Sequence, residues 1–326
     1  MSEERTLLIQ TVRDLVSKHA APEAVRAAMD SEAGYDTKLW QLLCEQVGVA
    51  ALLVPEDLGG AGGELGDAAA ALAELGRHLV PTPLLGTLLA EWALLSTDDP
   101  DAQTLEALAA GEATGAVVFD AGHVVGGASA DVVIAVQDGQ LVRLDEFTTH
   151  PLITMDPTRR VARVEAVAAT PLGADPGLAD VAALLLAAEA VAAADRALEL
   201  TVAYSKERVQ FGRPIGSFQA LKHRMADLYV TVQTAAAVVD EAIATYTEQP
   251  GSPVAELAFV VASEAFTETV ADAIQIHGGI AITAEHDIQL YFKRAHGTSQ
   301  LLGPVREHLR RLETEALSLA VEEPVL

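Results

Sequence analysis

The stretch Tyr204-Ser-Lys-Glu-Arg-Val-Gln-Phe-Gly-Arg-Pro-Ile-Gly-Ser-Phe-Gln219 decides how this chain is read. Before it, the apolar period is helical from Asp180 to Val209, and after it a second helical period runs from Phe218 to Glu248. Gly212 and Pro214 stop the first helix, so the stretch is a tight connection between two long antiparallel neighbours. It is also basic: Lys206, Arg208, Arg213, Lys222, His223 and Arg224 cluster in a chain of 21 Lys+Arg against 47 Asp+Glu, a net charge of −26. Two readings follow. An arginine fork beside a glycine without a Cβ suits a phosphate group, and cations at a helix end also complement the helix dipole.

Further along, a third helical segment covers Pro253 to Ile276, opened by Ser252 and a proline at its first position. It ends at Gln275-Ile-His-Gly-Gly279, where paired glycines serve either as a C-cap or as backbone open to a ligand. Shorter helices are expected after Ala284 and after Gly303. Upstream, between Thr114 and Val167, the texture changes to short β-branched runs, Ala116–Phe119, Asp131–Val136, Gln140–Leu144 and Arg160–Val164, which predict a small antiparallel region. From Thr6 to Leu95 the pattern is again helical, four or five segments broken at Pro22, Gly48, Gly59-Gly60-Ala61-Gly62-Gly63 and Pro81-Thr82-Pro83.

The fold class is therefore mainly α with a small β domain. Its expected divisions are an N-terminal helical domain over 1–112, a shortened middle β domain over 113–175 and a C-terminal four-helix bundle over 176–326. At about 150 residues per domain, 326 residues accommodate two or three such units. Aromatic residues are only 4%, so cores must be built from small side chains that let helices approach closely. The acidity disfavours nucleic acid and anionic membrane surfaces as partners. One cysteine, Cys44, permits neither an intrachain disulfide nor a cysteine zinc site, and with no signal-like N-terminus a reducing cytoplasm is expected. No His-Glu-x-x-His helix and no Gly-x-Ser-x-Gly elbow is present, so metal and serine-hydrolase chemistry have no support.

Together, the segments 204–219 and 275–279 resemble the two C-terminal flavin motifs of the acyl-CoA dehydrogenase family, and Val54-Pro-Glu-Asp-Leu-Gly-Gly60 with Glu74-Leu-Gly-Arg77 resembles its N-terminal helical domain. The likeness covers nearly the whole chain. It implies FAD-dependent α,β-dehydrogenation of an acyl-CoA thioester, in which a carboxylate takes the α proton and the β hydride passes to flavin. It further implies that FAD lies across a subunit boundary. Arg208 would contact the pyrophosphate, Gln210, Phe211 and Gly212 would line the cofactor's path, Phe218 and Gln219 would lie alongside, and Gln275, Gly278 and Gly279 would reach the same FAD.

The chain departs from that pattern in two places. The family's β-domain loops that hold the flavin ring have no counterpart, since Gly111 to Pro176 contains neither tryptophan nor lysine. The catalytic glutamate is also missing. His296-Gly297-Thr298-Ser299-Gln300 resembles the stretch that carries it only with a deletion, and an alignment without gaps, with Ala284 to Ala295 as one helix, puts Leu302 there instead. The base position used by other members falls on Ala182, two residues from Asp180, and two helical steps turn a side chain by roughly 200°. No catalytic residue is assigned. The resemblance implies the non-catalytic subunit of an α2β2 heterotetramer like those of actinobacteria that shorten steroid side chains as CoA thioesters. A second acyl-CoA dehydrogenase chain would supply the base, and an electron-transferring flavoprotein would be the acceptor. Alternatives are a self-sufficient enzyme using Asp180, Glu285 or Asp287, and a flavin-free interaction protein.

Overall fold

The computed structural model describes residues 2–322, so residue 1 and residues 323–326 of the outer expected domains lie outside the described residues. The first half begins with α1 (Glu3–His19), whose N-cap Ser2 accepts from the Arg5 N–H and whose ends carry Glu3 and Glu4, then Lys18 and His19, as the helix dipole favours. Then come α2 (Pro22–Asp30), α3 (Thr37–Val47), α4 (Leu65–Arg77) and α5 (Leu84–Leu95). A further helix, α6 (Ala102–Ala109), is capped by the Asp101 carboxylate on the Thr104 N–H.

The sheet contains β1 (Gly115–Val118), β2 (Val124–Val125), β3 (Val132–Gln137), β4 (Gln140–Leu152) and β5 (Val161–Ala174) in the order β1-β3-β4-β5-β2. Two expectations are corrected. The sheet is not wholly antiparallel: β1 pairs β3 in parallel, because the connection between them is a crossover long enough to carry β2 on the far edge. In addition, β4 and β5 run well past Leu144 and Val164, pairing up to Leu152 with Val161. The added parts are mostly exposed, so no apolar alternation marks them, and each is held by the other strand's earlier part, 149–152 against 161–164 and 170–174 against 140–143. One sheet face, with Ala116, Val118, Val133 and Leu144, forms its own small core. The other face joins the main core against α5, where Gly86 and Gly115 allow backbone contact: a Cβ on Gly86 would lie 2.3 Å from the Gly115 carbonyl oxygen.

The second half is built on α7 (Leu178–Glu207), α8 (Gln219–Glu248), α9 (Val254–His277), α10 (Ile288–Thr298) and α11 (Val305–Glu322). Alanines bury the sides of α7 against α4, α8 and α9, so the small-residue composition does let helices pack closely. The closest approach is at Gly76 of α4, where a Cβ would meet Glu189 Cγ at 2.2 Å. The helix expected from Ala284 to Ala295 instead runs from Ile288 to Thr298. Arg26 explains the late start: its guanidinium donates to the carbonyls of Ala284 and Glu285 and to the Asp287 carboxylate, which holds those residues in a turn. Among the described residues no helix is long and apolar enough to cross a membrane.

Candidate cofactor site and substrate cleft

Arg208 caps the C-terminus of α7, its N–H donating to the Tyr204 carbonyl at 2.9 Å. A two-residue hairpin follows, β6 (Val209–Gln210) pairing β7 (Arg213–Pro214) around Phe211 and Gly212. Both turn residues have positive φ, 54° and 78°, the combination a tight right-twisted hairpin demands. For a phenylalanine that conformation is strained, and here the ring gains little burial in return, since Phe211 is 92% exposed. Its edge meets the Phe218 ring, and Arg213 covers that same ring at 4.1 Å. Gln210 is exposed and donates to the Val209 carbonyl, while Gln219 opens α8 and bonds His223 at 3.0 Å. Arg208 is exposed and, among the described residues, has no hydrogen-bond or ion-pair partner for its guanidinium. Arg224, by contrast, is tied to Asp272.

The fold brings the second motif beside the first. Ile276 shares a small core with Ile215, Met225 and Leu228, against which Tyr204 and Phe218 pack. Gln275 is exposed, and Gly278 ends α9 at φ 69°, ψ −145°, a region essentially reserved for glycine. No heavy atom lies within 4 Å of where a Cβ would stand on Gly212, Gly278 or Gly279, so two stretches of backbone are open to close approach. An unpaired guanidinium with bare glycine backbone nearby is what a pyrophosphate needs.

A cleft separates the sheet from the C-terminal helices. Its outer part, about 830 Å³, is lined by Asp120, His123, Asp180, Glu256, His308 and Arg311. An inner chamber of about 590 Å³ is bounded by Met155, Arg159, Val161, Phe292, His296 and Leu301. The two adjoin at His123, Gln300 and Leu301, and a crevice of about 40 Å³ opens beside them against α5, β1 and α7, bordered by Ala182 and Leu302. The two positions at which the resemblance places a base therefore border one crevice, and neither side chain can take a proton. His296, the third candidate position, sits in the inner chamber with its ring edge against Phe292.

Of the other carboxylates considered, Glu285 and Asp287 are in the Arg26-bound turn and not in the lining of the cleft, whereas Asp180 faces the outer part. Burial, then the neighbouring carboxylates Glu256, Asp175 and Glu315, pushes the Asp180 carboxyl up from its ordinary value. The loop between β1 and β2 folds onto itself: Gly122 N–H donates to Asp120, and His123 Nδ1 lies 3.1 Å from the same carboxylate. Those bonds hold the Asp120 carboxyl below its ordinary value.

Sequence reasoning missed a buried ionic cluster behind the chamber. Arg294 of α10 pairs with Glu189 of α7 at 2.5 Å and lies 3.0 Å from Asp156 in the β4–β5 loop, while Arg159 pairs with Glu189 and donates to Thr298. Asp156 in turn accepts from the Thr158 N–H and hydroxyl. The members come from segments far apart in the chain, so no local motif signals them.

Over 315 residues the chain is 64% identical to acyl-CoA dehydrogenase IpdE2 of Mycolicibacterium smegmatis, covering 97% of this chain and 99% of the relative. The chain belongs to the acyl-CoA dehydrogenase family. The family's N-terminal domain model matches residues 2–112 and its C-terminal domain model residues 177–315. IpdE2 of Mycobacterium tuberculosis is 61% identical over 96% of this chain and 97% of its own length. Among solved structures, a chain of a Tcur3481-Tcur3483 steroid ACAD variant superposes with a TM-score of 0.89 at 27% identity, covering 98% of this chain and 99% of that one. A chain of the ChsE4-ChsE5 complex from Mycobacterium tuberculosis gives 0.86 at 25% identity, over 100% and 99% of the two chains. The acyl-CoA dehydrogenase family uses FAD.

Proposed function

We propose that this chain is the non-catalytic subunit of a heterotetrameric acyl-CoA dehydrogenase that introduces an α,β double bond into a steroid side-chain CoA ester. The observation that carries this reading is the small crevice that Ala182 and Leu302 share: the resemblance puts the base at those two positions and neither side chain can act as one, while the backbone of Gly212, Gly278 and Gly279 stays open to a phosphate group. Bound FAD supplies the hydride acceptor for this chemistry. Arg208 would hold its pyrophosphate, Gln210, Phe211, Gly212, Phe218 and Gln219 would flank it, and Gln275, Gly278 and Gly279 would close the site from α9. The partner acyl-CoA dehydrogenase subunit would contribute the base and the flavin-ring loops, because the self-bonded Asp120–His123 loop leaves this chain nothing equivalent.

The relatives support the divided assembly. One superposing chain is described as a steroid ACAD made of two named components, and another belongs to a two-protein complex. A ring-bearing acyl group is our preferred substrate, with an electron-transferring flavoprotein as acceptor and the cytoplasm as location. The domain limits 1–112, 113–175 and 176–326 are part of the same proposal. A second reading is favoured by one observation: Asp180 faces the outer cleft with its carboxyl pushed up, so a self-sufficient enzyme would use it as base. Purifying the chain alone and with the acyl-CoA dehydrogenase encoded beside it separates the two. The proposal expects flavin and acyl-CoA turnover only from the pair; a yellow, active single chain would overturn it.

A further inference from the structure

The two flavin motifs are far apart in the chain, and their side chains meet in the core shared by Ile215 and Ile276 and in an aromatic stack beside it. Tyr204 lies in the last turn of α7, and its carbonyl accepts the Arg208 N–H at 2.9 Å. Its ring stacks on His277, the last residue of α9, with centroids 4.3 Å apart and planes 20° from parallel. Its hydroxyl donates to the His277 carbonyl at 3.3 Å. That carbonyl belongs to the peptide joining His277 to Gly278, so the hydroxyl fixes the plane from which the open glycines depart. His277 is itself buried and held: its Nδ1 lies 2.8 Å from the Ala273 carbonyl, so Nδ1–H donates there and the ring cannot turn. His286 packs in a T-shaped contact with both rings, 4.9 Å from His277 and 6.4 Å from Tyr204 between centroids, and its Nδ1 accepts the Ile288 N–H.

We infer that Tyr204 is a positioning residue that sets the spacing between Arg208 and the Gly278-Gly279 backbone, so that two separate segments act as one phosphate site. The inference rests on the cofactor reading above. The ring does most of this through the stack, and the hydroxyl adds the orientation of one peptide plane. Neither group needs to touch the cofactor. A purely structural role would instead lower the stability of the whole bundle without regard to FAD.

The test uses the complex with its partner chain, stripped of flavin and titrated with FAD, for Tyr204→Ala, Tyr204→Phe and Arg208→Ala. Tyr204→Ala is expected to weaken FAD binding at least tenfold while the complex stays assembled and the flavin-free melting temperature stays close to that of the native complex. Tyr204→Phe, which keeps the stack, should remain within about threefold of native. Hydrogen exchange on the flavin-free complex gives a readout independent of FAD: Tyr204→Ala should speed exchange over 277–282 and leave the centre of α9 protected. Native FAD affinity in Tyr204→Ala, or unchanged protection over 277–282, overturns the inference. So does Tyr204→Phe as impaired as Tyr204→Ala. Loss of FAD in Arg208→Ala with none in Tyr204→Ala overturns the inference alone; native affinity in both overturns the cofactor reading with it.

Discussion

Glu189→Gln is the most informative single change, because it alters charge and almost nothing else. Glu189 is buried in the middle of α7 and faces two arginines, Arg159 and Arg294, the latter 2% exposed. Burial, and then the neighbouring Arg294 charge, holds the Arg159 guanidinium below its ordinary value, and Glu189 opposes both. The native cluster has two cations and two carboxylates, Asp156 and Glu189, and is neutral overall. Glutamine fills the same volume, so no cavity is created, but one positive charge is left uncompensated in the interior. Breaking a buried pair in this way costs about 3–5 kcal/mol. Urea denaturation should therefore show a lower midpoint with an unchanged slope, since the surface exposed on unfolding is the same. Removing the unpaired cation as well, in Glu189→Gln with Arg159→Met, should recover about 1–3 kcal/mol relative to the sum of the single changes. Hydrogen exchange should rise first in the 153–160 loop, which the cluster ties to α7 and α10. A cost below about 1 kcal/mol, or strict additivity in the double variant, would refute the reasoning by showing that water already compensates these charges.

Arg208→Ala removes a charge-assisted phosphate contact and should weaken FAD binding to the complex by about 1.5–3 kcal/mol; fluorescence titration checks this, and native occupancy would reduce Arg208 to a helix-end cation. Gly278→Ala must place a Cβ at φ 69°, ψ −145°, where strain rather than crowding is the obstacle; a loss of about 1–3 kcal/mol in stability is expected from denaturation. Glu91 is fully buried in α5 with neither carboxyl oxygen hydrogen-bonded, and burial pushes its pKa well above the ordinary glutamate range. The folded state thus keeps a proton that the unfolded state releases. Stability should fall with rising pH, by about 1.4 kcal/mol per unit from the ordinary glutamate value up to the raised one. Glu91→Gln should remove that slope in urea melts at several pH values, and an equal slope in both proteins would contradict a buried neutral acid.

How much of this was legible beforehand differs element by element. The long helices and their limits follow from apolar period and from breakers such as Gly212, Pro214 and Gly278, because helical hydrogen bonds are local. The far parts of β4 and β5 were not legible, since mostly exposed runs leave no alternation to read. The parallel pairing of β1 with β3 was hidden for a related reason: strand direction depends on where the chain crosses over, not on the residues that pair. At the site, the resemblance supplied cofactor contacts between Arg208 and Gln219 and between Gln275 and Gly279, but it gave no role to Tyr204 and His277, which stand in the same two motifs.

The sequence by itself determined that this is a mainly helical, acidic chain of the acyl-CoA dehydrogenase family, and the resemblance places the family's base positions on Ala182 and on Leu302 or His296. Those facts reside in residue identity and local spacing. Only the tertiary structure decided that Ala182 and Leu302 border one small crevice, that Asp180 faces the cleft while Glu285 and Asp287 do not, and that Arg159, Glu189, Asp156 and Arg294 neutralise one another. Likewise only the fold set the Tyr204 ring on His277. The physical reason is the same in each case. Burial, charge compensation and stacking act across space between segments that the chain separates, and no one-dimensional period records which of them will meet.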